Sequence, residues 1–231
     1  MGSVTVTAKQ LEVNRIVDVL SRAIAQQRLR PGTRLVEAQI VETLQANRNH
    51  VQVALQRLAM QHIITIETNR GAIVSQPTAQ EAREVFAARR AIERAVVEAI
   101  TPDALVAHAD SLAEQMAAER QASASGDRRE TVRVRSEFHL MLADLCGNRL
   151  LREILGNLIV RSSLIVSLYQ RLDTPSCRCD DHQAILDALH TGDSEHAVQA
   201  MFHHLVDLES QLDLTEQSAP DINLREALAD L

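Results

Sequence analysis

The stretch Glu37-Ala38-Gln39-Ile40-Val41-Glu42-Thr43-Leu44-Gln45-Ala46-Asn47-Arg48-Asn49-His50-Val51-Gln52-Val53-Ala54-Leu55-Gln56-Arg57-Leu58-Ala59-Met60 falls into two short helical patterns around one break. Ile40, Val41 and Leu44 recur at three- and four-residue steps in the first pattern. Val51, Ala54, Leu55 and Leu58 do so in the second, which gives each helix one buried face. The break at Ala46-Asn47 is too short for anything but a tight turn, so the spacing predicts a helix-turn-helix unit, with helices from about Glu37 to Gln45 and from about Asn49 to Met60.

Working outward, Leu11, Ile16, Val19, Leu20 and Ile24 mark an earlier helix from Lys9 to Gln27, stopped by Arg30-Pro31-Gly32-Thr33. On the other side, Ile63-Ile64-Thr65-Ile66-Glu67-Thr68 and Ala72-Ile73-Val74-Ser75 flank Asn69-Arg70-Gly71 and read as a β-hairpin, the wing of a winged helix-turn-helix. Gln76-Pro77 ends it, and Thr78-Ala79-Gln80-Glu81 has the spacing of a capping box at a new helix start. From there only helical patterns follow, at about 79–100, 102–120, 127–145, 149–171, 180–191 and 194–213, broken at Pro102, Gly126-Asp127, Gly147-Asn148, Pro175 and Gly192-Asp193. The expected protein is mainly α: a winged helix-turn-helix of three helices plus a hairpin over 1–76, an all-helical bundle of about six helices over 77–214, and a C-terminal tail over 215–231.

Charge divides at the same place. The net charge is −7, yet residues 1–76 hold nine Lys+Arg against five Asp+Glu, a balance of +4, and the remainder holds 15 against 26, a balance of −11. A small basic module joined to an acidic one is what a chain needs if only its first part meets phosphate. No apolar run approaches the ~20 residues that span a bilayer. The odd set Cys146, Cys177 and Cys179 fits thiols in a reducing compartment, so the expectation is a cytoplasmic protein without a membrane partner.

Asn47, Arg48, Asn49, His50, Gln52 and Gln56 cluster at the start of the second helix of the unit, the end that reaches base edges when such a helix enters a major groove. Arg suits a two-pronged contact to guanine, and Asn or Gln one to adenine. Arg70-Gly71 at the hairpin tip adds a charge where the backbone can approach phosphate or the minor groove. The plainer alternative for these residues is a solvated polar face.

The run Pro31-Gly32-Thr33-Arg34-Leu35, the segment Leu44 to Leu58, Asn69-Arg70-Gly71 and Val74 together resemble the DNA-binding half of the GntR superfamily over residues 10–76. That resemblance implies contacts to operator DNA from Arg34, Asn47, Arg48, Asn49, His50, Gln52, Arg70 and Gly71. Where the family turn reads Gly-Val-Ser-Arg, this chain has Gln45-Ala46-Asn47-Arg48. The family's second arginine is Gln52, and its Gly before the wing is His62. Arg89-Arg90-Ala91-Ile92-Glu93, Glu137-Phe138-His139, Gly147-Asn148, Asp181-His182-Gln183-Ala184-Ile185, Gly192-Asp193 and His203-His204-Leu205 resemble, in order, the FCD ligand-binding domain of the FadR-like branch over about 78–213.

By that resemblance His139, His182 and His204 bind a divalent metal, Zn or Ni, at the floor of an effector pocket, while Arg89 and Asn148 face the effector. The family's fourth ligand, an Asp one helical turn before the first histidine, is Arg135 here. Three arrangements follow: a three-His metal completed by water or effector, a site completed by Cys177 or Cys179, or no metal. The first is the expectation, with Arg135 and Arg89 drawing in a carboxylate-like small molecule. An ion pair between Arg89 and Glu93 is the equal alternative for Arg89. The implied protein is a homodimeric regulator, in family habit a repressor of a catabolic or transport operon. The competing class is a helical metal-dependent hydrolase. It would need a general base from Glu137 or Asp181, neither of which stands in a His-Glu-x-x-His type motif.

Overall fold

The computed structural model describes residues 7–68, 70–170 and 180–215. Asn69 of the wing turn, Cys177 and Cys179, and the tail from 216 lie outside the described residues. Three helices open the chain, α1 (Ala8–Ala25), α2 (Glu37–Leu44) and α3 (Arg48–Met60), with a short strand β1 (Arg34–Leu35) between the first two. The hairpin strands β2 (Ile64–Glu67) and β3 (Gly71–Val74) follow. The antiparallel sheet has the order β1-β3-β2, with Arg34 opposite Ile73 and Ile64 opposite Val74. Among the described residues before Pro77, β1 is the element that escaped the sequence pattern: two residues are too few for an alternation, and their pairing is set by the Pro31-Gly32 turn. There the Gly32 N–H donates to the Val74 carbonyl and the Val74 N–H to the Thr33 carbonyl, both at 2.9 Å.

Val13, Ile16, Leu20 and Ile24 of α1 pack on Val51, Ala54, Leu55 and Leu58 of α3 and on Ile63, Ala72 and Val74, forming one hydrophobic cluster. Burying an Ile or Leu side chain in this way contributes about 1.5–3 kcal/mol.

Seven helices make up the rest of the described chain: α4 (Ala79–Ala99), α5 (Pro102–Ala107), α6 (Ala109–Ser125), α7 (Arg128–Leu145), α8 (Arg149–Tyr169), α9 (Asp180–His190) and α10 (Ser194–Ser210). The capping box forms, as Thr78 Oγ1 accepts from the Glu81 N–H and the Glu81 carboxylate accepts from the Thr78 N–H. The stretch expected as one helix over 102–120 is two. At His108 the backbone leaves helical geometry, and the imidazole Nδ1 sits 2.9 Å from the Ala104 carbonyl, a local side-chain bond that competes with helix continuation. α6 then runs on to Gly126, whose φ of +72° closes it.

A second cluster, centred on Phe86, Phe138, Leu142, Leu155, Ile165, Ile185 and Leu205, fills this bundle. α8 belongs to both clusters. Its Leu155, Leu158, Ile159 and Ile165 face the bundle, while Val160 and Leu164 lie in the cluster of the N-terminal helices. Asn157 Nδ2 also donates to the Gln61 carbonyl at 3.1 Å, and the Tyr169 hydroxyl to the Pro77 carbonyl at 3.0 Å. No helix among the described residues is long and apolar enough to cross a membrane.

Candidate metal centre and nucleic-acid interface

Three pairs of residues, each one helical turn apart, point into the middle of the bundle: Arg89 and Glu93 on α4, Gln115 and Glu119 on α6, and Arg135 and His139 on α7. α9 adds Asp181 and His182, and α10 adds His204. All these side chains but Asp181 are buried, including two arginines and two glutamates that sit inside only because they are paired.

His139, His182 and His204 come together, with one ring nitrogen from each lying within 4.8 Å of the others. Every imidazole turns its other nitrogen to a carboxylate. His139 Nδ1 lies 2.5 Å from Glu93, His182 Nδ1 lies 2.8 Å from Glu119, and His204 Nδ1 lies 3.5 Å from Asp181. The last distance is too long for a hydrogen bond, and His204 Nδ1 has no partner at bonding range. The Phe138 ring stacks on His182 with centroids 4.0 Å apart.

Burial works against charge on Glu93, but Arg89 and His139 outweigh it and hold the carboxyl at a pKa of about 2. Burial likewise lowers His139 to about 4 despite the neighbouring Glu93, and burial and the adjacent imidazoles push His182 well down. His204 is lowered by burial, with Asp181 opposing. Glu119 is raised by burial to about 7, against the pull of Gln115 and Arg135. The imidazoles are therefore neutral at pH 7.

A neutral imidazole that donates from Nδ1, as His139 and His182 do to Glu93 and Glu119, presents a bare lone pair at Nε2, and His182 Nε2 lies 3.2 Å from His204 Nε2. With its proton on Nε2, His204 donates to His182 across this gap; with it on Nδ1, the two lone pairs are left for a shared cation. The spacing matches the roughly 3.3 Å edge of a tetrahedron with ~2.0–2.1 Å Zn–N bonds. A carboxylate behind each ring is also the usual support of a metal-binding histidine. These residues fit a divalent metal.

Arg89 carries the ion pair anticipated for it, with Nε 2.7 Å from Glu93, and its Nη1 donates to Ser162 on α8 at 3.2 Å. Its Nη2 is buried without a hydrogen-bond partner. Arg135 is buried near Glu119 and His182. Asn148 is not brought to this site: exposed at the start of α8, it caps the helix by accepting from the Leu150 and Leu151 N–H groups. Of the carboxylates, Glu119 escaped the sequence reading. A lone acid on the stripe of Leu112, Met116 and Ala122 was its signal.

At the other end of the molecule, Arg34, Asn47, Arg48, Asn49, Gln52, Arg70 and Gly71 are exposed. Asn47 caps α3, its Oδ1 accepting from the Asn49 N–H at 2.8 Å, and Gly71 takes a φ of +79° at the hairpin tip. His50 differs from its neighbours. It is half-buried, with Nδ1 shielded from solvent, and lies close enough to Glu12 to favour that carboxylate's charge. Glu37, unremarked in the sequence, bonds both Arg48 and Gln52.

Comparison with known proteins gives two family matches: "Bacterial regulatory proteins, gntR family" over residues 12–74 and "FCD domain" over 84–207. Among solved structures, a GntR transcriptional regulator from Rhodococcus sp. RHA1 is 29% identical with a TM-score of 0.72, covering 86% of this chain and 96% of that one. McbR/YncC of E. coli, at 20% identity and a TM-score of 0.74, covers 87% of this chain and 97% of its own, and shares the fold.

Two curated relatives are each 24% identical. A protein named for repression of a D-xylose utilization operon in Paenarthrobacter nicotinovorans matches over 83% of this chain and 84% of its own length. The HTH-type transcriptional regulator YdhC of Bacillus subtilis (strain 168) matches over 59% and 61%, so the chain spans less than two thirds of that relative.

Proposed function

Since the chain belongs to the transcription regulators that join a gntR-family DNA-binding domain to an FCD domain, and not to an enzyme family, we propose that it is a metabolite-responsive repressor. In this reading α3 enters the major groove of an operator, with Arg48 and Gln52 at base edges, Asn47 and Asn49 beside them, and Arg34, Arg70 and Gly71 at the backbone. His50, with Nδ1 turned inward, has its part through the other face of its ring. The domains divide near residue 77, and the functional unit is a cytoplasmic homodimer formed through the helical half, because one recognition helix reads only a few base pairs and a two-fold pair doubles the readout.

His139, His182 and His204 would hold Zn or Ni in the bundle, where the ion supplies a Lewis-acid position for an anionic oxygen. Arg89, through its unpartnered Nη2, and Arg135 supply counter-charge, so the favoured effector is a small carboxylate. The observation that carries this reading is the three neutral imidazoles, each backed by a carboxylate, beside an arginine N–H with no protein partner. A route to the DNA-reading end runs through Ser162, which Arg89 bonds from the site side of α8, while Val160 and Leu164 on the same helix pack under the reader. An effector shifts DNA affinity only by as much as it prefers one arrangement over the other.

The test begins with sequencing of genomic fragments retained by the purified protein, where enriched two-fold symmetric sites are expected. On such a site Arg48→Ala should weaken binding by about 1–3 kcal/mol and relax the sequence preference, while Arg70→Ala weakens all sequences alike. Unchanged affinity in both variants at one fixed salt concentration would remove the N-terminal half as the reader.

A further inference from the structure

The two side chains best suited to read bases share one carboxylate. Glu37, the first residue of α2, accepts from Arg48 Nε and, at 3.1 and 3.3 Å, from Gln52 Nε2. The Gln52 bond, set against partial burial and helped by Arg48, lowers the Glu37 pKa, so the group is ionised at neutral pH. An ionised carboxylate only accepts hydrogen bonds, and an amide oxygen turned toward it would be repelled. The orientation of Gln52 is thereby fixed: its amine end is held against the protein and Oε1 leads outward. For Arg48, whose side chain is 75% exposed, the bond to Glu37 uses Nε and leaves both terminal nitrogens for an end-on contact.

We propose that Glu37 is a positioning residue that sets base specificity, aligning Arg48 on guanine and turning Gln52 into an acceptor that selects a base with a major-groove amine. A free glutamine reads adenine by two bonds, donating to N7 and accepting from N6. With one N–H held by Glu37 the amide cannot turn over, so Oε1 stays outward as the acceptor while the second N–H remains able to reach adenine N7. Adenine N6 and cytosine N4 then satisfy it, whereas guanine O6 and thymine O4 set an oxygen against its oxygen. Where the family pattern has a second arginine, this chain thus reads amine against carbonyl. Glu37 has this role only if α3 is the recognition helix.

The experiment is selection from random-sequence duplex DNA at fixed salt, using the full-length chain and its Arg48→Ala, Gln52→Ala, Glu37→Ala and Glu37→Gln variants, each checked for a native melting transition. The wild type should enrich a guanine that Arg48→Ala loses and a nearby adenine-or-cytosine position that Gln52→Ala loses. Glu37→Ala lets the amide turn its amine end outward, so guanine and thymine should be admitted there and the preference for adenine or cytosine over them should fall on the order of fivefold, the low end of what a base contact discriminates. Glu37→Gln should move it the same way, even though its affinity for unrelated DNA rises with the loss of a negative charge. If both Glu37 variants return the wild-type motif with only affinity changed, the proposal is overturned. A wild-type pool with no enriched sequence would instead remove the recognition-helix reading beneath it.

Discussion

Arg135 stands one turn before His139, at the place where the family carries a metal-binding carboxylate. Its guanidinium cannot lose its proton, so it repels a cation that an aspartate would attract. Arg135→Asp should therefore retain Zn or Ni more tightly, on the order of tenfold, and bind small carboxylates less well. Metal content after dialysis of protein made without a His tag, followed by titration of the loaded protein, checks both. Equal metal retention in the two proteins would mean that Arg135 does not face the ion.

The histidines were legible by their ordered motifs and Arg89 by its helix position, because both follow from spacing along one chain. Glu119 was not: it reaches His182 from another helix of the packed bundle, and no local pattern encodes that.

Helix ends show how far local chemistry carries. Gln45 closes α2 and His62 follows α3 with φ of 48° and 58°, left-handed conformations at the two places where the family pattern has glycine. A side chain costs roughly 1–2 kcal/mol there, partly offset by glycine's greater entropy loss on folding. Gln45→Gly and His62→Gly should each stabilise the protein by about 0.5–1 kcal/mol in chemical denaturation. No gain at either position would mean that another contact of the replaced side chain outweighs the strain.

Asn148 makes the complementary point, since the resemblance assigned it to the effector and the fold uses it as the N-cap of α8. Asn148→Ala should cost about 1 kcal/mol of stability, a loss of roughly 2–4 °C in Tm for a chain of this size. The response of the protein to carboxylates should stay as in wild type. A lost response at unchanged stability would return Asn148 to the pocket. Periodicity placed the remaining helices to within a few residues, except where His108 splits one of them, a break that depends on a single side chain bonding its own backbone.

Across the whole molecule, α8 is the shared element, with one face in the bundle that holds the three histidines and the other in the core of the reader. Beside it, between α1, α7 and α8, lies a cleft of about 510 Å³ lined by Val17, Arg22, Gln61, Leu140, Gly156 and Asn157. The joint is thus packed along α8 and open next to it. The sequence showed two modules and their charge difference, but not that one helix serves both, since Val160 and Leu164 look like any other apolar stripe until α1 is packed against them.

The most direct measurement is the Kd for an operator recovered from the genomic selection, read by fluorescence anisotropy at one salt concentration. It is taken on chelator-stripped and Zn- or Ni-loaded protein, with and without a panel of small carboxylates, for the wild type and His182→Ala. The account predicts that loading with a carboxylate shifts the wild-type Kd by about fivefold or more, the lower range of allosteric coupling, and leaves His182→Ala unmoved. An operator Kd that is the same under every condition in the wild type, or that shifts equally in His182→Ala, would contradict it.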